Sequence, residues 1–183
     1  MKRSRLFQFL VLATVWGATQ TSQASLLRAM SLSELVRSAN QIVVAKVVSI
    51  NAAWDSSHRR ILSTIEVKIE ESWKGSVDGL VTIVQPGGTV GEIEMTVHGM
   101  PRFAVGERSL LFLQGHTHFQ VVGMCEGKRP LSWDADGKQW LLESPDVGDV
   151  VEVDAGGRLH HATPAARLAL ESMREQVRKM IGN

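Results

Sequence analysis

The chain has 183 residues, with 20 Lys and Arg against 19 Asp and Glu and a formal net charge of +1. That length suits one domain with a real core, and the balanced charge lacks the basic footprint that nucleic-acid binding requires. The single cysteine, Cys125, excludes an internal disulfide, so stability has to come from packing.

Lys2, Arg3 and Arg5 form a basic start, residues 6–18 an apolar run, and Ser22-Gln23-Ala24 a small-residue site. This is the layout of a secretory signal peptide, with cleavage expected after Ala24. The run is short of the roughly 20 residues a bilayer needs, and no later run is longer, so stable membrane insertion after cleavage is not expected. No Cys follows the cleavage site, which argues against a lipid anchor. Removing residues 1–24 takes away three basic residues and no acidic ones, leaving 17 against 19 and a mature charge of −2. The expected destination is the periplasm or the exterior.

Behind the leader, residues 25–40 read as a helical lead-in, 41–143 as a β-barrel domain, 144–163 as an acidic linker and 164–183 as a C-terminal helix. Ser31-Leu32-Ser33-Glu34 has capping-box spacing, predicting a short helix over 32–39. Residues 42–50 are β-branched and apolar on both faces, a strand well inside a sheet. In the next strand Ile61, Ile65, Val67, Ile69 and Trp73 alternate with Arg60, Glu66, Lys68 and Glu70, so one face meets the core. The polar loop between these strands carries Trp54 near its tip. A third strand over 80–85 stops at Pro86, which cannot donate to a ladder, and Gly87-Gly88 turns the chain.

Residues 86–113 read as the central hairpin of the barrel. An alternating strand over 92–98 carries Ile93, Met95 and Val97 on its inner face, and a fully apolar strand spans 110–113. Alternation over 119–125 predicts a further strand with Cys125 inward, a buried thiol. Segments 129–133 and 138–142 flank Asp134-Ala135-Asp136-Gly137, a hairpin with an Asp-Gly turn. A short strand is placed at 150–153. Thr163-Pro164 then opens a helix in N-cap, N1 order, with Ala166, Leu170, Met173, Val177 and Met180 as one stripe. Packing onto the domain, a partner-helix seam and a membrane-surface helix are all open for that stripe.

These elements predict a mainly β fold: an OB-like Greek-key barrel with a short N-terminal helix, a late β-hairpin and a C-terminal amphipathic helix. Residues 42–50, Thr64-Ile65-Glu66-Val67 running into Glu71-Ser72-Trp73-Lys74-Gly75, Val81-Thr82-Ile83, and Gly106-Glu107-Arg108-Ser109-Leu110-Leu111-Phe112-Leu113 carry a resemblance. Over residues 41–125 the chain resembles the netrin-module barrel of tissue inhibitors of metalloproteinases. It is also similar to a set of secreted bacterial proteins with the same Lys-Gly and Pro-Gly-Gly punctuation. In those inhibitors a mature N-terminal Cys, in a Cys-x-Cys context, chelates the protease zinc. This chain has Ser25 there, so inhibition by that route is not implied, and fold likeness alone does not carry activity.

No G-x-S-x-G, H-E-x-x-H, C-x-x-C or P-loop is present. The Asp134–Gly137 segment departs from a calcium loop, having Pro145 where an EF-hand needs Glu, and reads as a turn. His116 and His118, placed one apart on a strand face, offer two imidazoles to zinc or copper, with His98 or Glu94 as a third ligand. A polar strand start explains them as well. His160-His161 is a weaker pair, because neighbours point apart in an extended chain. Glu92, Glu94 and Glu107 could serve acid–base chemistry or simply solvate a strand face. Trp54 and Trp140 are candidates for a contact surface or for packing. No cofactor is expected. The leading functional expectation is an exported, non-catalytic β-barrel module that binds a protein or cell-envelope partner. A metal-dependent enzyme or carrier using His116 and His118, and a loop-mediated protease inhibitor, are the alternatives.

Overall fold

A computed structural model describes residues 30–145, 151–153, 159–161 and 167–182. The expected leader, Ser25, Thr163-Pro164 and Ala166 lie outside them. Among the described residues no helix is long and apolar enough to cross a membrane.

The short helix α1 (Leu32–Ser38) starts on the expected capping box. Ser31 Oγ accepts from the Glu34 amide at 3.3 Å, and Ser31 N–H donates to Glu34 Oε2 at 2.8 Å, so two amides that the first turn leaves open are satisfied. Its other end is closed by a residue far along the chain. Lys74 Nζ donates to the carbonyls of Val36 at 2.7 Å and Ala39 at 2.6 Å, a cation on the negative end of the helix.

Twelve strands follow among the described residues: β1 (Gln41–Trp54), β2 (Ile61–Lys74), β3 (Leu80–Pro86), β4 (Gly88–Val90), β5 (Ile93–Met95), β6 (Arg108–Gly115), β7 (Phe119–Val121), β8 (Lys128–Trp133), β9 (Trp140–Leu142), β10 (Val151–Val153), β11 (Leu159–His161) and β12 (Leu168–Ala169). Helix α2 (Leu170–Ile181) follows β12. Five strands pair in the order β1-β2-β3-β7-β6, and β6 returns to β1, pairing Gln41 with Leu113 through Lys46 with Arg108. The barrel is therefore closed. All of its pairings are antiparallel except β3 with β7, which meet in parallel at Ile83 and Phe119. Strands β8, β9 and β12 extend the sheet outward from β6.

Two apolar layers explain the sequence pattern. Val43, Ala45, Val47, Ile65, Val67, Val81, Ile83, Leu111, Leu113 and Phe119 fill the barrel interior. The opposite faces of β1 and β6, with Ile42, Val44, Leu110 and Phe112, are buried under Leu35 and Val36 of α1, Leu142 of β9, and Leu170 and Val177 of α2. β1 and β6 are apolar on both faces because each lies between the two layers.

Several expectations need correcting. Residues 86–113 are not one central hairpin: β3 and β6 do not pair, because β7 lies between them. The strand expected over 92–98 shrinks to β5, which pairs with β4 in a two-stranded hairpin outside the barrel, and Ile93 is exposed. The cause is the path after Pro86. Gly87 N–H donates to Ile61 O at 2.9 Å and Gly87 O accepts from Ser63 Oγ at 2.7 Å, so the chain stays over β2 instead of turning back. At Gly88, with φ 130°, a Cβ would sit 2.5 Å from Ser63 Oγ and 2.9 Å from Ala52 Cβ. Only glycine fits so close a crossing.

Trp73 also changes face. The register shift between Val44 and Ala45 inserts Glu70 as an extra residue into β2, and that bulge reverses the side-chain phase before Trp73 is reached. Ile69 packs against the interior layer, whereas Trp73 packs against the outer one.

Cys125 is buried as expected, but in a 3-10 turn (Met124–Gly127) beyond the end of β7. Helix α2 begins at Leu170, not at Pro164, because Leu168 and Ala169 first pair with Leu142 and Leu141 of β9. Its stripe packs on its own domain through Leu170, Met173 and Val177, while Met180 is exposed. The segment taken as an acidic linker contains β10 and β11 paired as a hairpin.

Candidate binding surface

His116 and His118 lie in the bend that joins β6 to β7, not on a strand face, and both are exposed. Gly115, with φ 124°, makes that bend, since a side chain there would overlap the carbonyl of His118. His116 borders an open groove of about 560 Å³ shared with Asn40, Ser76, Asp78 and Thr82. Among the described residues no group of three or more His, Cys, Asp or Glu is placed to hold a metal ion. Glu94 belongs to the β4–β5 hairpin and His98 to the turn after it, on elements distinct from the β6–β7 bend. Of His160 and His161 the structure gives the backbone pairing alone, opposite Glu152 and Val151.

The acid–base candidates separate similarly. Glu92 and Glu94 are exposed at the β4–β5 tip. Glu107 instead belongs to a packed clamp. Lys128, 5% exposed, sets Nζ 2.5 Å from Glu107 Oε1 and 2.5 Å from the Arg102 carbonyl, and 4.9 Å from the Phe103 ring centroid. Ser109 Oγ donates to Glu107 Oε1 at 2.9 Å, and the Ala104 amide donates to Oε2 at 3.0 Å. The ammonium and the carboxylate are thus committed to partners within the fold. This arrangement holds the loop between β5 and β6 on the barrel wall. It offers no proton-transfer group poised over a cleft.

Beside it, Glu126 and Arg129 approach to 3.6 Å. Burial pushes the Arg129 guanidinium below its ordinary pKa, and the Glu126 and Cys125 charges oppose that shift. Gln85 donates through Nε2 to the Pro101 carbonyl at 2.9 Å, and its buried Oε1 has no hydrogen-bond partner among the described residues.

The tryptophans are more informative. Trp54 closes the end of β1, half-buried, and stacks on His58 with ring centroids 6.4 Å apart. The β1–β2 loop below it is held by Asp55, whose Oδ1 accepts from the Arg59 amide at 2.9 Å and from Ser57 Oγ at 2.9 Å. The Arg59 amide is the main reason its carboxyl is held below the ordinary 3.8; loss of hydration acts the other way, and Ser57 and Arg60 add to the lowering.

Trp140 is half-buried on β9 against the outer layer. Directly across the hairpin stands Trp133, which the sequence reading passed over. The two rings stack with centroids 4.1 Å apart and planes inclined by 28°. Trp133 keeps 52% of its surface in solvent. The Arg108 guanidinium lies 5.5 Å from the Trp140 centroid, and its Nε donates to Glu70 Oε1 and Oε2 at 3.0 and 2.9 Å.

The turn linking the two tryptophans runs from Asp134 to Gln139 and is internally braced. The Asp134 amide donates to Gln139 O at 3.0 Å, and the Lys138 amide donates to Asp134 Oδ1 at 2.7 Å. The visible signal was symmetry: Trp133 and Trp140 bracket the Asp-Gly turn, and residues flanking a hairpin turn face each other.

Comparison of the chain with protein-family models, with curated proteins and with solved structures gives no match. The functional reading therefore rests on this geometry.

Proposed function

We propose that the protein is an exported, non-catalytic β-barrel module that binds a cell-envelope component through the face carrying Trp133 and Trp140. The observation that supports this reading is the exposure of Trp133, held in a fixed stack on Trp140. A large aromatic ring left in water forfeits the favourable burial that the core gives its neighbours. Rings of this kind, rigid and partly exposed, supply much of the energy at binding surfaces. The barrel contributes rigidity, because Trp140 is anchored in the outer layer and Arg108 on a strand that closes the barrel.

The test is retention of the purified protein on the envelope fraction of its source cells. Wild type is expected to be retained and Trp133→Ala released. Failure of wild type to be retained, or equal retention of the variant, overturns the reading.

A further inference from the structure

The Trp133–Trp140 face also carries information about the chemistry of its ligand. Trp133 has one ring face against Trp140 and 52% of its surface exposed, so the opposite indole face is the open one. It offers roughly 100 Å² of apolar area, about half of what a Trp side chain buries. A standard protein–protein interface takes about 800 Å² from each partner. One flat ring face suits one ring of a ligand better than it suits the centre of a protein interface.

Nearby charges narrow the choice further. Arg108 is bound to Glu70 through both carboxylate oxygens, and Lys138 lies 3.5 Å from Asp136 in the hairpin turn. Each cation is matched by an anion, and Asp134 in the same turn adds one more carboxylate, so the face carries no surplus positive charge to attract an anionic ligand. The charged groups of the turn still offer donors and acceptors at the rim, since a carboxylate accepts at several positions and an ammonium has three N–H groups.

A flat indole with hydrogen-bonding groups beside it and no surplus positive charge matches a ring that is apolar on its face and hydroxylated on its edge. We infer that the Trp133–Trp140 face binds a neutral oligosaccharide, with one sugar ring lying on the open face of Trp133. The slightly positive C–H groups of the sugar face meet the negative face of the indole. Hydroxyls at the ring edge reach the polar groups of the hairpin turn, Asp134, Asp136 and Lys138 among them. This inference rests on the reading of that face as the binding surface.

The experiment titrates the full mature chain with tetra-N-acetylchitotetraose, cellotetraose and maltotetraose, following binding by calorimetry and the indole N–H signals by NMR. At least one oligosaccharide is expected to bind wild type and shift the Trp133 signal. Trp133→Ala should weaken it at least tenfold, and Trp133→Phe, which keeps a smaller ring, by a few fold. Unchanged affinity in Trp133→Ala would overturn the inference. So would absence of binding by all three sugars at about 10 mM, well above the range of a millimolar site. If the sugars fail while Trp133→Ala still abolishes retention on the envelope fraction, the ligand class is wrong and the binding face stands. If retention is also indifferent to Trp133, both readings fall.

Discussion

The two apolar layers of this fold are built in different ways. The barrel interior is filled by alternate residues of β1, β2, β3, β6 and β7, and each contribution follows from a period of two along its own strand. The outer layer is assembled from elements distant in sequence, joining α1, the outer faces of β1 and β6, the β8–β9 hairpin and α2. The first layer is a property of strands, and the second exists only when the whole chain has met. Substitutions in the two layers show whether they behave as one cooperative unit.

The largest effects are expected in the layers and in the clamp. Phe112→Ala in the outer layer should cost about 3–5 kcal/mol and Ile83→Ala in the interior about 2–5 kcal/mol. Both should move one coincident transition in chemical denaturation. A biphasic curve for Phe112→Ala, with only its first phase shifted, would show that the outer layer melts alone. Lys128→Met strands the Glu107 carboxylate and should cost about 3–5 kcal/mol, whereas Lys128→Met with Glu107→Leu should recover much of that loss. A double variant as unstable as the single one would mean that Lys128 acts through something other than its partner.

The next effects test the links between the layers. Lys74→Met removes two charged hydrogen bonds to the end of α1 and should cost about 1.5–3 kcal/mol. Ser31→Ala removes the N-cap and should cost about 1 kcal/mol; equal losses from the two variants would mean that the C-terminal cap adds nothing extra. The smallest effect concerns the far end of the barrel. Asp55 has a folded pKa below its ordinary value, so its contribution is present above that ordinary value and is lost as pH falls through the folded one. Asp55→Asn should therefore be less stable than wild type at neutral pH, and the difference should close in acid. A constant difference across that range would assign the effect to loop geometry rather than to ionisation.

How much of this was legible in the sequence follows the same division. The strands lining the interior were readable, since Ile65 and Val67 keep strict alternation and the doubly apolar runs at Ile42 and Leu110 announce strands covered on both sides. Bulges were not readable: nothing in Glu70-Glu71-Ser72-Trp73 marks where the phase reverses, because a bulge is defined by the partner strand. Helix α2 showed its stripe, but its start was misplaced. Pro164 is a good local signal, and the pairing of Leu168 with Leu142 is a tertiary one. His116 and His118 were placed on a strand because the alternation that begins at Phe119 was extended backwards as far as Gly115. Trp133 was missed for the converse reason. Its importance comes from a cross-strand neighbour and from exposure, neither of which one residue's context displays.

One consequence of the outer layer concerns timing. Leu35 stands near the start of the described fold and Val177 near its end, yet both belong to that layer, and α1 touches α2. A chain shortened before Leu170, or still being made, leaves the greasy strips of Ile42, Val44, Leu110 and Phe112 wet. Such a fragment should stick to its neighbours or to a chaperone. Helix α2 thus works as a latch, and the outer layer stays unfinished until residues 170–181 arrive.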